Sequence, residues 1–130
     1  VLSELAEYFL KDKCPVNGAY YSTKTREIIR NQIADQDCTQ ADAARMMGVS
    51  ARTLQRRLQD ENTNFDSLRD EIRRTMAEFL LKSTDLSITQ VSERLHYGES
   101  SALTRSCYRW FGMSPRKLRQ QVKNDRADYH

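Results

Sequence analysis

An internal repeat with a period of about 48 residues constrains this chain most. Each copy has the spacing of two short helices joined by a tight turn. Three positions mark a copy: a small residue that permits close crossing of the helices, a turn residue, and a leucine that faces inward. The second turn is one residue longer than the first. These three positions are Ala44, Gly48 and Leu54 in the first copy and Ser92, His96 and Leu103 in the second. This spacing predicts two helix-turn-helix units.

The rest of the chain also has helical periodicity, and four glycines and two prolines among 130 residues disfavour a turn-rich β fold. We therefore predict an all-α fold of about seven helices, preceded by a short N-terminal helix. The apolar residues of the segment over 2–10 recur on one helix face, residues 12–21 are typical of a linker, and a second helix is predicted over about 25–36.

These predictions divide the chain into three parts. Residues 1–21 would be an N-terminal helix and a linker, and the valine at the first position suggests a fragment of a longer protein. Residues 22–123 would be the two-unit domain, and residues 124–130 a frayed tail. Within the domain we place the first helix-turn-helix at about 39–61, a linker helix at about 64–83, the second helix-turn-helix at about 87–111 and a C-terminal helix at about 115–123.

Local signals set the expected helix ends. Thr39 and Ser87 each precede an acidic or amide residue by three positions, which is the spacing of a capping box. Ser50 is the expected cap of the second helix in the first unit. Gly48 and Gly112 are placed where helices commonly end in a left-handed residue.

Charge is concentrated in the C-terminal third. Residues 86–130 carry eight basic and four acidic side chains, whereas the whole chain is only +3. This asymmetry favours a polyanionic partner, although a solvated surface would give the same count. No stretch is long and apolar enough for a transmembrane helix, and no signal peptide is visible, so we expect a cytoplasmic protein without a membrane partner.

Few residues are available for catalysis or metal binding. Cys14, Cys38 and Cys107 are widely separated and are interpreted as reduced intracellular thiols. The only histidines are His96 and His130, so no metal site is predicted. The sequence also lacks phosphate-binding and metalloprotease motifs. We therefore predict no catalytic residues, no cofactor and no enzyme activity.

The second helix of a helix-turn-helix lies in the major groove, and its early exposed residues meet base edges. Arginine can bond guanine in pairs and glutamine can do so with adenine, whereas hydroxyls are weaker readers. The predicted base contacts are Arg52, Gln55 and Arg56 in the first unit and Ser100, Ser101, Thr104 and Arg105 in the second. The predicted phosphate contacts are Thr39, Ser50, Thr53, Ser87, Arg109 and Arg116.

Each of these interpretations has a structural alternative. The basic residues of the first unit would also fit a solvated face with ion pairs from Arg56 to Asp60 and from Arg57 to Glu61. The serines of the second unit would also fit helix caps. Glu99 could accept from cytosine or orient Arg105, and the sequence leaves this open. Three aromatic residues are better explained by core packing than by base stacking: Tyr97, Trp110 and Phe111.

The segment ESSALTRSCYRWFGMSPRKLR (99–119) resembles the C-terminal signature of AraC/XylS-family transcriptional regulators. The segment ARMMGVSARTLQRRL (44–58) and the start of the linker helix resemble the rest of that domain, so the resemblance covers about residues 25–120. The family has an all-α DNA-binding domain of seven helices with two helix-turn-helix units. Its recognition helices enter successive major-groove segments, and an N-terminal effector-binding or dimerisation domain usually accompanies it. The resemblance therefore implies that residues 1–21 are the helix and linker from such an upstream domain, which we expect to be missing here.

Three departures from the family pattern concern the second unit. His96 occupies a turn position that is generally glycine, Ser92 replaces the usual alanine, and Leu103 with Cys107 replaces the more usual aromatic pair. A non-glycine residue at such a turn implies a strained backbone. The resemblance therefore predicts the fold of the second unit. It supports the rigidity of this unit less strongly, because of these three departures.

The predicted function is sequence-specific binding of double-stranded DNA at an asymmetric site by a transcription regulator. RNA polymerase and a second copy of the full-length protein are the other candidate partners. One alternative is a helical protein-interaction module whose arginines contact an acidic protein. A further alternative is a DNA-repair or modification enzyme with a reactive Cys14 or Cys38. The sequence does not distinguish activation from repression.

Overall fold

A computed structural model describes residues 19–128, with side chains described as far as residue 125. All regular structure in this range is helical, which confirms the predicted fold class. The seven helices are α1 (Tyr20–Gln32), α2 (Gln40–Met46), α3 (Ala51–Asp60), α4 (Phe65–Ser83), α5 (Ile88–Arg94), α6 (Ser100–Phe111) and α7 (Pro115–Asp128). The chain forms two compact units, the first ending at Arg73 and the second beginning at Arg74, so that α4 contributes to both.

The first unit is built around the helix-turn-helix of α2 and α3. Leu54 and Leu58, four residues apart on α3, are fully buried, and Ala43 and Ala44 of α2 are buried to a similar degree. These small alanines allow the two helices to pack closely. The remaining buried apolar residues of this unit come from α1, α4 and their adjoining loops: Ile29, Ile33, Cys38, Phe65, Leu68 and Ile72.

The local signals for helix ends in this unit are confirmed. The Thr39 hydroxyl accepts from the Asp42 N–H at 3.2 Å, and the Asp42 carboxylate accepts from the Thr39 N–H at 3.2 Å. The hydrogen bond from the Thr39 N–H holds the carboxylate in its charged form and is the largest cause of the lowered pKa of Asp42. Ser50 caps α3 through the Thr53 N–H at 3.1 Å. Gly48, in the turn, has a φ of +73°.

Replacing Gly48 with alanine is expected to lower the free energy of unfolding by about 1 kcal/mol, because an L-residue pays a steric cost in the left-handed region. A Cβ at this position would meet no atom within 4 Å, so a clash with neighbours is not the cause. Gly98→Ala is the matched control, since its Cβ would also enter open space without a positive φ. Urea unfolding of both variants tests this, and equal stabilities would contradict it.

The second unit repeats this arrangement with α5 and α6. Val91, Leu95, Leu103 and Cys107 are fully buried, as the periodicity predicted. Burial raises the pKa of the Cys107 thiol to about 11, so the thiol is neutral at physiological pH. These four buried residues are therefore uncharged, and the aromatic pair that is usual in the family is absent.

Polar residues occupy the other two positions at which the second unit departs from the family, Ser92 and His96. The Ser92 hydroxyl donates to the Glu99 carbonyl at 3.2 Å and so connects α5 to the start of α6. His96 adopts a φ of +63°, which confirms the expected left-handed turn residue. The hydroxyls of Tyr97 and Ser106 lie 2.9 Å apart. These hydrogen bonds give partners to the hydroxyls of Ser92, Tyr97 and Ser106, which are buried or half-buried in the second unit.

An arginine of α7 closes the C-terminal end of α4. The Arg119 Nε donates to the Leu81 carbonyl at 3.0 Å, and Nη2 donates to the Leu80 carbonyl at 3.3 Å. The last carbonyls of a helix have no partner within the helix, so a guanidinium that spans two of them acts as a cap. This contact fixes α7 against the C-terminal end of α4 within the second unit.

Two helix bounds differ from the sequence predictions. α1 begins at Tyr20 and ends at Gln32, rather than spanning 25–36, so the predicted linker over 12–21 ends too late. α7 continues to Asp128, which makes the predicted helix end at 123 wrong. The predicted N-terminal helix over 2–10 lies outside the described residues. The three aromatic residues predicted to be core, Tyr97, Trp110 and Phe111, are only half-buried.

Candidate nucleic-acid interface

In the first unit, α3 presents its arginines and Gln55 to solvent. The caps at Ser50 and the buried leucines fix the rotation of α3, and this rotation places Arg52, Gln55 and Arg56 on one exposed face. None of these three side chains forms an ion pair or a hydrogen bond within the described residues. They are therefore available to a ligand that approaches this face.

The ion pairs that the solvated-face alternative required are not formed. Arg57 lies over the Tyr21 ring, with the guanidinium carbon 5.7 Å from the ring centroid. The Glu61 carboxylate accepts from the backbone N–H groups of Tyr21 and Ser22 at 3.0 and 2.9 Å. This contact joins the C-terminal end of α3 to the N-terminal end of α1, and it was missed because the partners are about 40 residues apart in sequence.

The predicted phosphate-contact residues of the first unit all take part in helix capping. The Ser50 hydroxyl donates to the Thr53 hydroxyl at 2.9 Å in addition to accepting from the Thr53 N–H. At Thr39 the neighbouring Asp42 carboxylate also forms an ion pair with Arg45. A carboxylate beside a helix N-terminus repels phosphate, so the local charge favours Ser50 over Thr39 as a phosphate contact.

In the second unit, Ser100, Ser101 and Arg105 are exposed, and Thr104 is half-buried with its hydroxyl donating to the Ser100 carbonyl at 3.2 Å. The N-cap position of α6 is Glu99, whose side chain makes no capping hydrogen bond. The structure therefore brings the four predicted base contacts to the exposed side of one helix. Among the described side chains, Glu99 and Arg105 form no ion pair or hydrogen bond with each other.

The predicted phosphate contacts of the second unit lie in different environments. Ser87 and Arg116 line one groove together with Lys123, which the sequence reasoning missed. The side-chain amide oxygen of Gln90 accepts from the Ser87 N–H at 2.9 Å, so the capping box of Ser87 contains a neutral amide and no carboxylate that would oppose an anion. The guanidinium of Arg109, in contrast, lies 5.4 Å from the Trp110 ring centroid and contacts the Ser106 hydroxyl.

Over residues 19–128, the structure shows no features of a metal site, a reactive thiol or a membrane span. No group of three or more metal-ligating side chains lies together in the part of the chain that the structure describes. Cys38 is a buried free thiol whose pKa is raised by burial and by nearby carboxylates, which makes it a poor nucleophile. Cys14 lies outside the described residues. Between residues 19 and 128, no helix has the length and apolar character needed to cross a membrane.

Two capped helix-turn-helix units with exposed arginines on their second helices define the class of a helical nucleic-acid-binding domain. Comparison with known proteins agrees with this class. A family described as a helix-turn-helix domain matches residues 43–121. The chain belongs to this family, in its AraC type.

Three similar proteins illustrate the relationship. The HTH-type transcriptional regulator VirS of Mycobacterium tuberculosis is 34% identical over 115 residues, which are 88% of this chain and 34% of VirS. The crystal structure of the transcriptional regulator CdpR from Pseudomonas aeruginosa is 34% identical, with a TM-score of 0.71 over 77% of this chain and 31% of that chain. The third is the crystal structure of a transcriptional regulator from Chromobacterium violaceum, one of the proteins that contain an AraC-type DNA-binding domain. It is 25% identical, with a TM-score of 0.71 over 79% of this chain and 92% of that one.

The chain spans about a third of the length of the curated relatives that it matches, VirS among them. The similarity therefore concerns the helix-turn-helix domain, and the activities of the whole relatives do not follow from it.

Proposed function

We propose that this chain is the sequence-specific double-stranded-DNA-binding part of a transcription regulator. The observation that carries the proposal is the exposed face of α3, where Arg52, Gln55 and Arg56 have no partner within the described chain. Long basic and amide side chains on the second helix of a helix-turn-helix are suited to major-groove base edges. The family assignment and the names of the relatives support the same function.

We further propose a division of labour between the residues. The base contacts would be Arg52, Gln55 and Arg56 in the first unit and Ser100, Ser101, Thr104 and Arg105 in the second. The phosphate contacts would be Thr39, Ser50, Thr53, Ser87, Arg109 and Arg116. Because the two recognition helices carry different side chains, the DNA site would be asymmetric.

The other proposed properties concern the whole protein. We propose a cytoplasmic regulator without catalytic activity, for which RNA polymerase is a candidate partner. Dimerisation of the full-length protein would raise its affinity for DNA by effective concentration. The raised pKa of the Cys38 thiol speaks against the repair-enzyme alternative as far as Cys38 is concerned.

A binding selection from a random duplex pool, with the 130-residue chain as the protein, tests the DNA-binding proposal. We expect an enriched asymmetric motif. A salt titration on the enriched duplex should give a linear fall of log K against log salt, with a slope of about −0.9 for each phosphate neutralised. A scrambled duplex should bind more weakly and retain the salt dependence. No enrichment together with a shallow slope would support the protein-interaction alternative instead.

A further inference from the structure

Tyr108 is one of three large hydrophobic side chains that the described chain leaves exposed, with 56% of its surface accessible to solvent. It lies in the middle of α6, the recognition helix of the second unit. Within the described residues, its hydroxyl has no hydrogen-bond partner and its ring has no aromatic or cationic neighbour. Its packing in the second unit therefore does not explain why a bulky aromatic residue occupies this position.

Helical geometry places Tyr108 on the face proposed to read bases. It follows Ser101 by seven residues, or about two turns, and lies three and four residues after Arg105 and Thr104, respectively. The buried side of α6, marked by Leu103 and Cys107, points away from this face. The row from Ser101 to Tyr108 is about 10 Å long at 1.5 Å per residue, which is about three base-pair steps.

The two units differ at this position. Aligning Leu54 and Leu58 with Leu103 and Cys107 makes Gln59 of α3 the counterpart of Tyr108. A glutamine there is a hydrogen-bonding side chain, whereas the tyrosine presents an apolar ring. The remaining side chains of the second reading face are small hydroxyls and Arg105, so a ring at Tyr108 would supply its largest apolar contact surface.

We propose that Tyr108 is a specificity-determining residue of the second unit and that its ring contacts the methyl group of a thymine in the major groove. The proposal rests on the DNA-binding function proposed above. The thymine C5-methyl is the apolar group that base pairs display in the major groove, and aromatic side chains can contact it. The second unit would then read sequence through an apolar contact, in addition to Arg105.

The test starts with duplex selections using the wild-type chain, Tyr108→Ala and Tyr108→Phe. We expect the wild-type motif to include a thymine in the element read by the second unit, with that preference lost in Tyr108→Ala and kept in Tyr108→Phe. Tyr20→Ala is the matched control, because Tyr20 is another exposed tyrosine, at 61%, but lies on α1. Its motif should equal that of the wild-type chain.

Replacing the selected thymine with uracil removes only the methyl group and isolates the contact. We expect about fourfold weaker binding by the wild-type chain, the change that corresponds to the ~0.8 kcal/mol for one buried methyl-sized group. Tyr108→Ala should bind the thymine and uracil duplexes equally, and Tyr108→Phe should still distinguish them.

The outcomes separate this proposal from the one on which it rests. Uniform weakening of all duplexes by both Tyr108→Ala and Tyr108→Phe would overturn the base contact and indicate a hydroxyl–phosphate contact. An unchanged motif in Tyr108→Ala would overturn any specificity role while leaving DNA binding established. Absence of any enriched motif with the wild-type chain would overturn the DNA-binding function itself, and this proposal with it.

Discussion

Arg56→Ala is expected to weaken binding to the selected duplex by about 1–3 kcal/mol and to relax the base preference at one position. The guanidinium of Arg56 is exposed and forms no ion pair within the described chain, even though Asp60 lies one helical turn further on. Its planar fork is therefore free to donate two hydrogen bonds to one guanine. Binding isotherms on the selected duplex and on its single-base variants measure both effects.

Arg57→Ala is the matched control for this prediction. Arg57 is the adjacent residue and has the same charge, but it lies over the Tyr21 ring, away from the face of Arg56. We expect its replacement to leave the base preference unchanged. If Arg56→Ala weakened all duplexes by the same factor, Arg56 would be a phosphate contact, and the proposed base-reading face would have to be revised.

The parts of the fold that the sequence predicted depend on interactions between near neighbours. The capping boxes at Thr39 and Ser87 and the left-handed residues Gly48 and His96 are set by local hydrogen bonds and by backbone geometry. The buried face of each helix follows from a period of 3.6 residues. For these reasons the bounds of α2 through α6 agree with the sequence predictions within one or two residues.

The start of α1 could not be predicted in the same way. Its N-cap position is Ala19, which has no side chain to accept a hydrogen bond, and no local signal marks Tyr20 as the first helical residue. The acceptor is supplied by Glu61, which is close only after the first unit has folded. The continuation of α7 through polar residues after Lys123 also lacks an apolar pattern that would reveal it.

In the candidate interface, too, the features set by neighbouring residues could be predicted from the sequence, whereas contacts between distant segments could not. Exposed positions on α3 and α6 follow from periodicity, so the base-reading set could be proposed from the sequence. The sequence could not show that Lys123 lines the groove with Ser87 and Arg116. Such contacts depend on how a helix packs on distant segments of its unit.

Glu61→Ala is expected to lower the free energy of unfolding by about 1.5–3 kcal/mol, the contribution of hydrogen bonds to a charged group. The carboxylate accepts two backbone N–H groups of α1 and lies at the positive end of its helix dipole. Glu61→Gln should cost less, because the amide oxygen can still accept one of these hydrogen bonds. Asp60→Ala is the matched control, since this neighbouring carboxylate is exposed.

Urea unfolding gives the stability change, and amide hydrogen exchange at Tyr21 and Ser22 locates it. If the carboxylate caps α1, exchange at these two amides should accelerate in Glu61→Ala and remain unchanged in Asp60→Ala. A loss of stability without faster exchange there would place the effect at the end of α3 and contradict the cap. Because Glu61 directly follows the last residue of the recognition helix α3, loss of the cap should also release that end of the helix. DNA affinity should then fall for Glu61→Ala without a change in the preferred bases, which distinguishes this positioning residue from Arg56.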